Sequence, residues 1–342
     1  MIITKQAGKM TIKEIADRTN LSVATISRVI NNSNAVKPET REKVIQFLEE
    51  NKNNYKYYAP APHKTLALIL PDIHNPFYGE IIRGVTRNAH LASYDVLLFD
   101  TQDNSSDEIA YLDKAITQKV DGIILMSSSR GDRDEGLKDL LLSAKTPIVL
   151  IDKEIRGVTL DGVFLDDTAG MVLLTETLAV SGHKKIVLIA GEEDSSVTKK
   201  RVTAFKNALR EFDLPFSPEQ IIFASYTDTD IAVPILSSVL TSPDRPTAII
   251  TCNGLLTMTA IKCIHQQKLK IGKDISLVSF DEVQTLRLLG IDITSASVDL
   301  TEMGRTGFEL LIKKIEDSSS SRQKLIMVPS VIKRGSESLS LM

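Results

Sequence analysis

Thr11-Ile12-Lys13-Glu14-Ile15-Ala16-Asp17-Arg18-Thr19-Asn20-Leu21-Ser22-Val23-Ala24-Thr25-Ile26-Ser27-Arg28-Val29-Ile30-Asn31 decides how the amino-terminal part of the chain is read. Thr11 stands three residues before Glu14, so each side chain can satisfy the other's free amide in a capping box, and a helix is expected to start at Thr11. Ile12, Ile15, Ala16 and Thr19 then share one face. Asn20-Leu21 breaks this helix before Ser22, a favoured N-cap for a second, short helix over about Val23 to Asn31. Ile26, Val29 and Ile30 form its core stripe, which leaves Ala24, Ser27 and Arg28 on the opposite face with Val23 at the leading edge. A third helix is expected from Pro38, burying Val44, Phe47 and Leu48. Three short helices with a tight turn between the first two make a helix-turn-helix unit, although a plain three-helix bundle shares the spacing. In such a unit the second helix enters the major groove by its amino end. Val23 and Ala24 could there touch thymine methyls, and Arg28 could bridge guanine O6 and N7.

Charge separates this head from the rest. Residues 1–64 carry 11 Lys and Arg against 6 Asp and Glu, whereas residues 65–342 carry 30 against 38. A basic head on an acidic body points to a polyanion meeting the head alone, though many basic helices are merely solvated. The chain has 342 residues, 42% of them hydrophobic, enough for two or more domains with unstapled cores. No apolar run approaches a membrane span, and Met1 to Met10 lack the apolar stretch of a secretory signal, so a cytoplasmic protein without membrane contact is expected. Cys252 and Cys263 have neither zinc-knuckle nor redox-pair spacing and read as reduced thiols.

From Leu66 the pattern changes to short apolar runs separated by helical stretches. Strands are expected at Leu66–Leu70, Asp95–Asp100, Gly122–Met126, Ile148–Ile151, Gly162–Leu165, Lys185–Ala190, Ile221–Ala224, Ala248–Thr251 and Ser276–Phe280. Helices fall between many of them, for example Phe77–Ala92, Leu173–Val180 and Arg201–Phe212. This is the pattern of parallel α/β units. Nine strands exceed one tidy doubly wound sheet, so two lobes with a ligand cleft at the carboxyl ends of the strands are expected. Phosphate-loop, dinucleotide, nucleophile-elbow and zinc-protease motifs are all missing. His63, His74, His90, His183 and His265 show no metal-ligand grouping, and His183 after Gly182 reads as structural. Neither enzyme chemistry nor a cofactor is expected, although an α/β enzyme without these motifs stays open until turnover is tested.

The quoted head resembles, almost residue for residue, the DNA-binding head of the lactose/galactose repressor (LacI/GalR) family, with Val23-Ala24 closer to the galactose branch. The resemblance implies that Val23, Ala24 and Arg28 read operator bases, with Thr11, Ser22, Thr25, Ser27 and Asn31 completing the DNA-contacting set. It continues through Pro71-Asp72-Ile73-His74-Asn75-Pro76-Phe77-Tyr78, Lys119-Val120-Asp121-Gly122-Ile123-Ile124, Asp166-Asp167-Thr168-Ala169-Gly170, Ser181-Gly182-His183-Lys184-Lys185-Ile186 and Ser279-Phe280-Asp281-Glu282. These segments look like the family's effector domain, which is similar in fold to periplasmic sugar-binding proteins. The implied architecture is an all-α helix-turn-helix head (1–53), a linker (54–64) and a two-lobed α/β periplasmic-binding-protein-like effector domain (65–342). By analogy, lobe 1 spans about 65–160 plus 291–320 and lobe 2 about 161–290 plus 321–335.

The effector set implied by the resemblance is Phe77, Ser127, Asp152, Arg201, Asn253 and Asp281. An aromatic face such as Phe77 stacks on a sugar's C–H face, though a plain core Phe fits equally. Asp152 could be an ordinary helix cap, Arg201 a solvated charge and Asp281 a structural carboxylate. Two departures from the family matter. Gly254 replaces a side chain that often contacts ligand. With Lys153 beside Asp152, and Arg201 adding further positive charge, this favours a sugar acid or sugar phosphate over a neutral sugar. Members also join head and body by a motif like Y-x-P-N-x-x-A-x-x-L, whose helix wedges a leucine into the minor groove. Here Asn53-Asn54-Tyr55-Lys56-Tyr57-Tyr58-Ala59-Pro60-Ala61-Pro62-His63-Lys64 has no leucine and two prolines that oppose a helix, so an extended connector and weak wedging are expected unless Tyr57 or Tyr58 substitutes. The whole reads as a cytoplasmic, homodimeric repressor of carbohydrate-catabolism genes on a palindromic double-stranded DNA operator. The seven residues after Gly335 cannot hold the heptads of a tetramerising coiled coil. The alternative is a free small-molecule binding protein, which a gel shift would separate.

Overall fold

The computed structural model describes residues 11–30, 36–51 and 64–338. Asn31, the end of the head from residue 52 and the linker residues 54–63 lie outside them. The chain forms two compact units that divide between His63 and Lys64.

The first unit is helical: α1 (Ile12–Thr19), α2 (Val23–Ile30) and α3 (Pro38–Glu50). The capping box forms, with Glu14 N donating to Thr11 Oγ1 at 3.3 Å and Thr11 N donating to Glu14 Oε2 at 2.6 Å. Asn20 then adopts φ 56°, the left-handed conformation that an asparagine tolerates and that ends the helix. Ser22 caps α2 by accepting from Thr25 N at 3.0 Å. Ile15, Ala16, Ile26, Val29, Ile30, Val44 and Leu48 make the core, with Phe47 packed at its margin. Ile12, expected on the same stripe, is exposed, because the buried face of α1 begins one turn later.

The second unit holds the remaining elements, β1 (Lys64–Leu70), α4 (Pro76–Leu91), β2 (Tyr94–Asp100), α5 (Ser105–Thr117), β3 (Gly122–Leu125), α6 (Glu135–Ser143), β4 (Ile148–Asp152), β5 (Asp161–Leu165), α7 (Asp167–Val180), β6 (Ile186–Ala190), α8 (Ser196–Glu211), β7 (Ile221–Phe223), α9 (Ala232–Thr241), β8 (Ala248–Thr251), α10 (Gly254–Gln266), β9 (Ser276–Ser279), α11 (Gln284–Leu288), β10 (Thr294–Ser297), α12 (Leu300–Glu316), β11 (Lys324–Met327) and β12 (Ser330–Ile332). They build two six-stranded sheets, ordered β11-β5-β4-β3-β1-β2 and β12-β10-β9-β8-β6-β7. All pairings are parallel except β10 with β12. Helices cover both faces, which is why the central strands β1, β3, β6 and β8 are apolar runs rather than alternating patterns.

Pairing redraws the lobe boundaries expected from the sequence. Strand β5 pairs with β4 and β11, so 161–165 and 324–327 belong to the first lobe, and β10 pairs with β9, so 294–297 belong to the second. The chain crosses between lobes three times, after β5, after β10 and after β11. The first and third crossings are tied together by Asp166 N donating to Met327 O at 3.0 Å. Strands β10, β11 and β12 have no counterpart among the nine expected.

Candidate functional site

In the head, Val23 (49% exposed), Ala24 and Arg28 lie exposed on one side of α2, opposite the buried Ile26, Val29 and Ile30. Thr11 and Ser22 are exposed at the two helix starts, and Thr25 and Ser27 are half-buried. The described members of the expected DNA-contacting set therefore occupy the first turns and the outer face of α2, with Thr11 at the start of α1. An exposed Val-Ala-Arg face on a rigid short helix is suited to touching methyl groups and forking onto a purine edge.

In the second unit a narrow cavity of about 50 Å³ opens between the two lobes. Its walls are the loops that follow the carboxyl ends of strands. From the first lobe come Asp72, Asn75, Phe77 and Tyr78 after β1, Asp103 after β2, Ser129 after β3, and Asp152 and Lys153 at the end of β4. The second lobe supplies Val197 and Arg201 on α8, Tyr226 and Thr227 after β7, Asn253 after β8 and Asp281 after β9. Open α/β sheets bind ligands at this end because the strand termini diverge and helix amino ends converge there.

Local structure fixes each group. Asn75 caps α4 by accepting from Phe77 N at 3.1 Å and delivers Phe77 and Tyr78, whose rings meet edge to face at 5.2 Å. Asp152 has φ 77°, rare for a side-chain-bearing residue, and Lys153 N donates to Ile151 O at 3.0 Å across it. The backbone thus makes a tight three-residue turn of the strained hand, which persists only where the surroundings over-determine it. Asn253 caps α10, its Oδ1 accepting from Leu256 N at 2.8 Å while Nδ2 donates to Tyr226 O at 3.2 Å, so it is held as cavity wall.

Arg201 is 5% exposed, and its charge is met by protein. Nε donates to Asp167 Oδ1 at 2.9 Å, Nη2 lies 2.8 Å from the same oxygen, Nη1 donates to the Cys252 carbonyl, and the guanidinium sits 3.6 Å over the Phe280 ring. Burial opposes its charge, yet the Asp167 carboxylate holds its pKa above the ordinary value. Burial pushes the Asp281 carboxyl up to about 6 against the pull of Arg201 and of the Gly254 amide, which donates to it at 3.1 Å. Burial likewise raises Asp152, opposed by Lys153. Tyr78 is raised well above its ordinary value by burial and by Asp152, Asp103, Asp281 and Asp72.

Five of the six expected effector residues, Phe77, Asp152, Arg201, Asn253 and Asp281, therefore converge on the cavity. Ser127 does not. Ser127 is 2% exposed, its side chain is buried against Gly131, and its carbonyl accepts from Lys153 Nζ at 3.2 Å. The expectation of spare positive charge also changes, since Arg201 is already committed to Asp167. Gly254 is explained by packing: a Cβ there would lie 2.6 Å from Val283 Cγ2. Asp72, Tyr78, Asp103 and Tyr226 were not singled out from sequence. Asp72 and Tyr78 lie in the segment Pro71 to Tyr78 that resembles the family, whereas Asp103 and Tyr226 carry no signal beyond a place within a few residues of a strand end. His183 is structural as expected, bonded to Thr247 Oγ1 at 2.9 Å and to the Glu337 carbonyl at 3.0 Å.

Comparison with known proteins agrees with both units. Residues 11–56 match the lacI family of bacterial regulatory proteins, and residues 63–334 match periplasmic binding proteins and the sugar binding domain of the LacI family. The ribose operon repressor of Haemophilus influenzae is 30% identical over 332 residues, 95% of this chain and 98% of that protein. The transcriptional repressor PurR of Aliivibrio fischeri is 28% identical over 335 residues, again 95% and 98%. A transcriptional regulator CelR–cellobiose complex shares the fold, with a TM-score of 0.69 at 24% identity, covering 96% of this chain and 100% of that one. These relatives are regulators rather than enzymes. Among the described residues no helix is long and apolar enough to cross a membrane. The chain belongs to the LacI family of DNA-binding bacterial regulatory proteins.

Proposed function

We propose that the protein is a transcriptional repressor of carbohydrate-catabolism genes, working as a homodimer on a palindromic operator under the control of a hydroxyl-rich small molecule held between its lobes. The observation that carries this reading is the cavity at the strand ends, where Asp152, Asp281 and Tyr78 offer hydrogen-bonding groups beside the Phe77 ring. Carboxylates accept hydroxyl protons, and aromatic rings cover C–H faces. The same cavity speaks against an acid or phosphate effector, because Arg201 is neutralised by Asp167 and each added anion would meet four wall aspartates. Exposed apolar side chains on each lobe, Leu97 and Leu98 on β2 and Leu288 and Leu289 at α11, support pairing of two bodies.

In the head, the exposed position of Arg28 supports base reading. Arg28→Ala is expected to cost about 1–3 kcal/mol on the operator and much less on random DNA, measured by gel shift on DNA upstream of sugar-transport and catabolic genes. Equal losses on both would reduce Arg28 to a phosphate contact. No shift on any such fragment would leave a free binding protein.

A further inference from the structure

We propose that the ligand of the inter-lobe cavity carries a protonated amine on a hydroxylated skeleton, as an amino sugar does. The inference rests on the preceding reading of this cavity as the effector site and adds the ligand's charge. Four carboxylates, those of Asp72, Asp103, Asp152 and Asp281, line the space, with Asp167 directly behind Arg201. Against these five stand Arg201 and Lys153; Lys200 on the same side reaches out to Glu154 at 3.8 Å. A neutral sugar would donate hydroxyl protons to the aspartates and still leave a surplus of like charge in a site from which binding expels water. An ammonium group removes that surplus.

Hydrogen bonding separates the carboxylates that face the space from those the protein holds. Asp103 is committed, accepting from Ser129 N at 2.7 Å and Ser129 Oγ at 2.5 Å. The Asp152 carboxylate, however, makes no hydrogen bond or ion pair among the described residues, and its strained turn holds it at the cavity wall. Among the described residues the Asp281 carboxylate receives only the Gly254 amide, on one oxygen. Tyr78, 6% exposed, brings its hydroxyl into the same field of four aspartates without a hydrogen-bond partner among the described residues. An unpartnered hydroxyl and an unpartnered carboxylate lining one cavity mark the place of a missing acceptor and donor. An amino polyol supplies both, N⁺–H donated to Asp152 or Asp281 and a hydroxyl oxygen that accepts from Tyr78, while the Phe77 ring accepts a neighbouring cation or C–H face. A metal ion is a poorer occupant, since among the described residues no three carboxylate, imidazole or thiol groups converge as ligands.

The test uses the full-length protein in thermal shift and calorimetry at pH 7.5. D-glucosamine, D-galactosamine and D-mannosamine hydrochlorides are compared with their neutral parents and N-acetyl derivatives at matched chloride. At least one amine should bind ~10-fold tighter than both counterparts, the difference between charge-assisted and neutral hydrogen bonds. Neutral or N-acetyl sugars that bind as well as the amines overturn the proposal and leave the sugar-effector reading standing. A panel with no binding at all overturns both. A second measurement needs no ligand: Asp152→Asn should raise the Tm of the unliganded protein at pH 7.5, with the gain vanishing as pH falls and the carboxyl takes up its proton. A lower Tm for this variant at pH 7.5 would show the carboxylates already compensated and would also overturn the proposal.

Discussion

Asp167 and Arg201 are each 5% exposed, and neither charge is tolerable without the other. Removing one partner of such a pair costs about 3–5 kcal/mol, because the survivor stays buried and unpaired, whereas replacing both is close to neutral. Arg201→Met should therefore lower unfolding stability by that amount in urea melts, and Arg201→Met with Asp167→Asn should recover most of it. A double variant no better than the single would show that the Cys252 carbonyl and the Phe280 ring are the contacts that matter. Asp281 carries a different signature. With its carboxyl held at about 6, the folded state binds a proton more tightly than the unfolded chain does. Its contribution to stability is fully present below the ordinary aspartate range and is lost as pH rises to 6, at up to about 1.4 kcal/mol for each step of one in pH. Asp281→Asn keeps an acceptor for the Gly254 amide and should flatten the stability profile over that interval, followed by urea melts at stepped pH. An unchanged slope would move the titration elsewhere in the cavity.

Among the elements, the contact of α4 with α12 depends on two glycines. A Cβ on Gly84 would lie 2.1 Å from Thr301 O, and one on Gly304 would lie 2.2 Å from Ile81 O. The helices therefore touch backbone to backbone, and α4 carries Phe77 and Tyr78 to the cavity from that contact. Gly84→Ala should cost about 3 kcal/mol or more, since the obstacle is a carbonyl that cannot rotate away. Gly79→Ala, on the same helix with nothing within 4 Å, should instead gain about 0.5–1 kcal/mol. Equal effects in thermal melts would show that helix propensity rather than packing governs both. Neither glycine can be assigned a role from sequence, because a helical glycine looks the same whether it packs or merely weakens the helix. The same limit hid β10, whose Thr294-Ser295-Ala296-Ser297 is buried but polar, and β11, whose Lys324-Leu325-Ile326-Met327 forms an exposed edge. Strands were legible where both faces are covered by helices, as in β1 and β6. The cavity was legible in the residues that a family resemblance marks, Asp72 and Tyr78 only as members of the segment Pro71 to Tyr78, and illegible in Asp103 and Tyr226, whose meeting depends on the three lobe crossings.

For the whole effector unit, the decisive quantity is the balance between open and closed lobes. A cavity of about 50 Å³ holds only a few water molecules, so the sugar-like effector proposed above would need the lobes further apart to enter. Two ion pairs join the lobes near the cavity: Arg133, in the loop after β3, reaches Asp194, in the loop after β6, at 2.6 Å, and Lys200 on α8 reaches Glu154 beyond β4 at 3.8 Å. Their side chains are 39–48% exposed, which limits each pair to less than about 1 kcal/mol and makes it sensitive to salt. That is too little to hold the fold together, but enough to shift a two-state population by up to about fivefold. Arg133→Ala should weaken binding of the cavity ligand by at most that factor while leaving Tm within about 2 °C, and raising salt should weaken the wild type more than the variant. Reversing the pair, Arg133→Asp with Asp194→Arg, should restore wild-type affinity, because neither residue lines the cavity and only the sign relation between lobes is being tested. If the reversed pair binds no better than Arg133→Ala, the loss lies in the local structure of the loop after β3, and closure is then governed by the ligand's own contacts with the aspartates of both lobes.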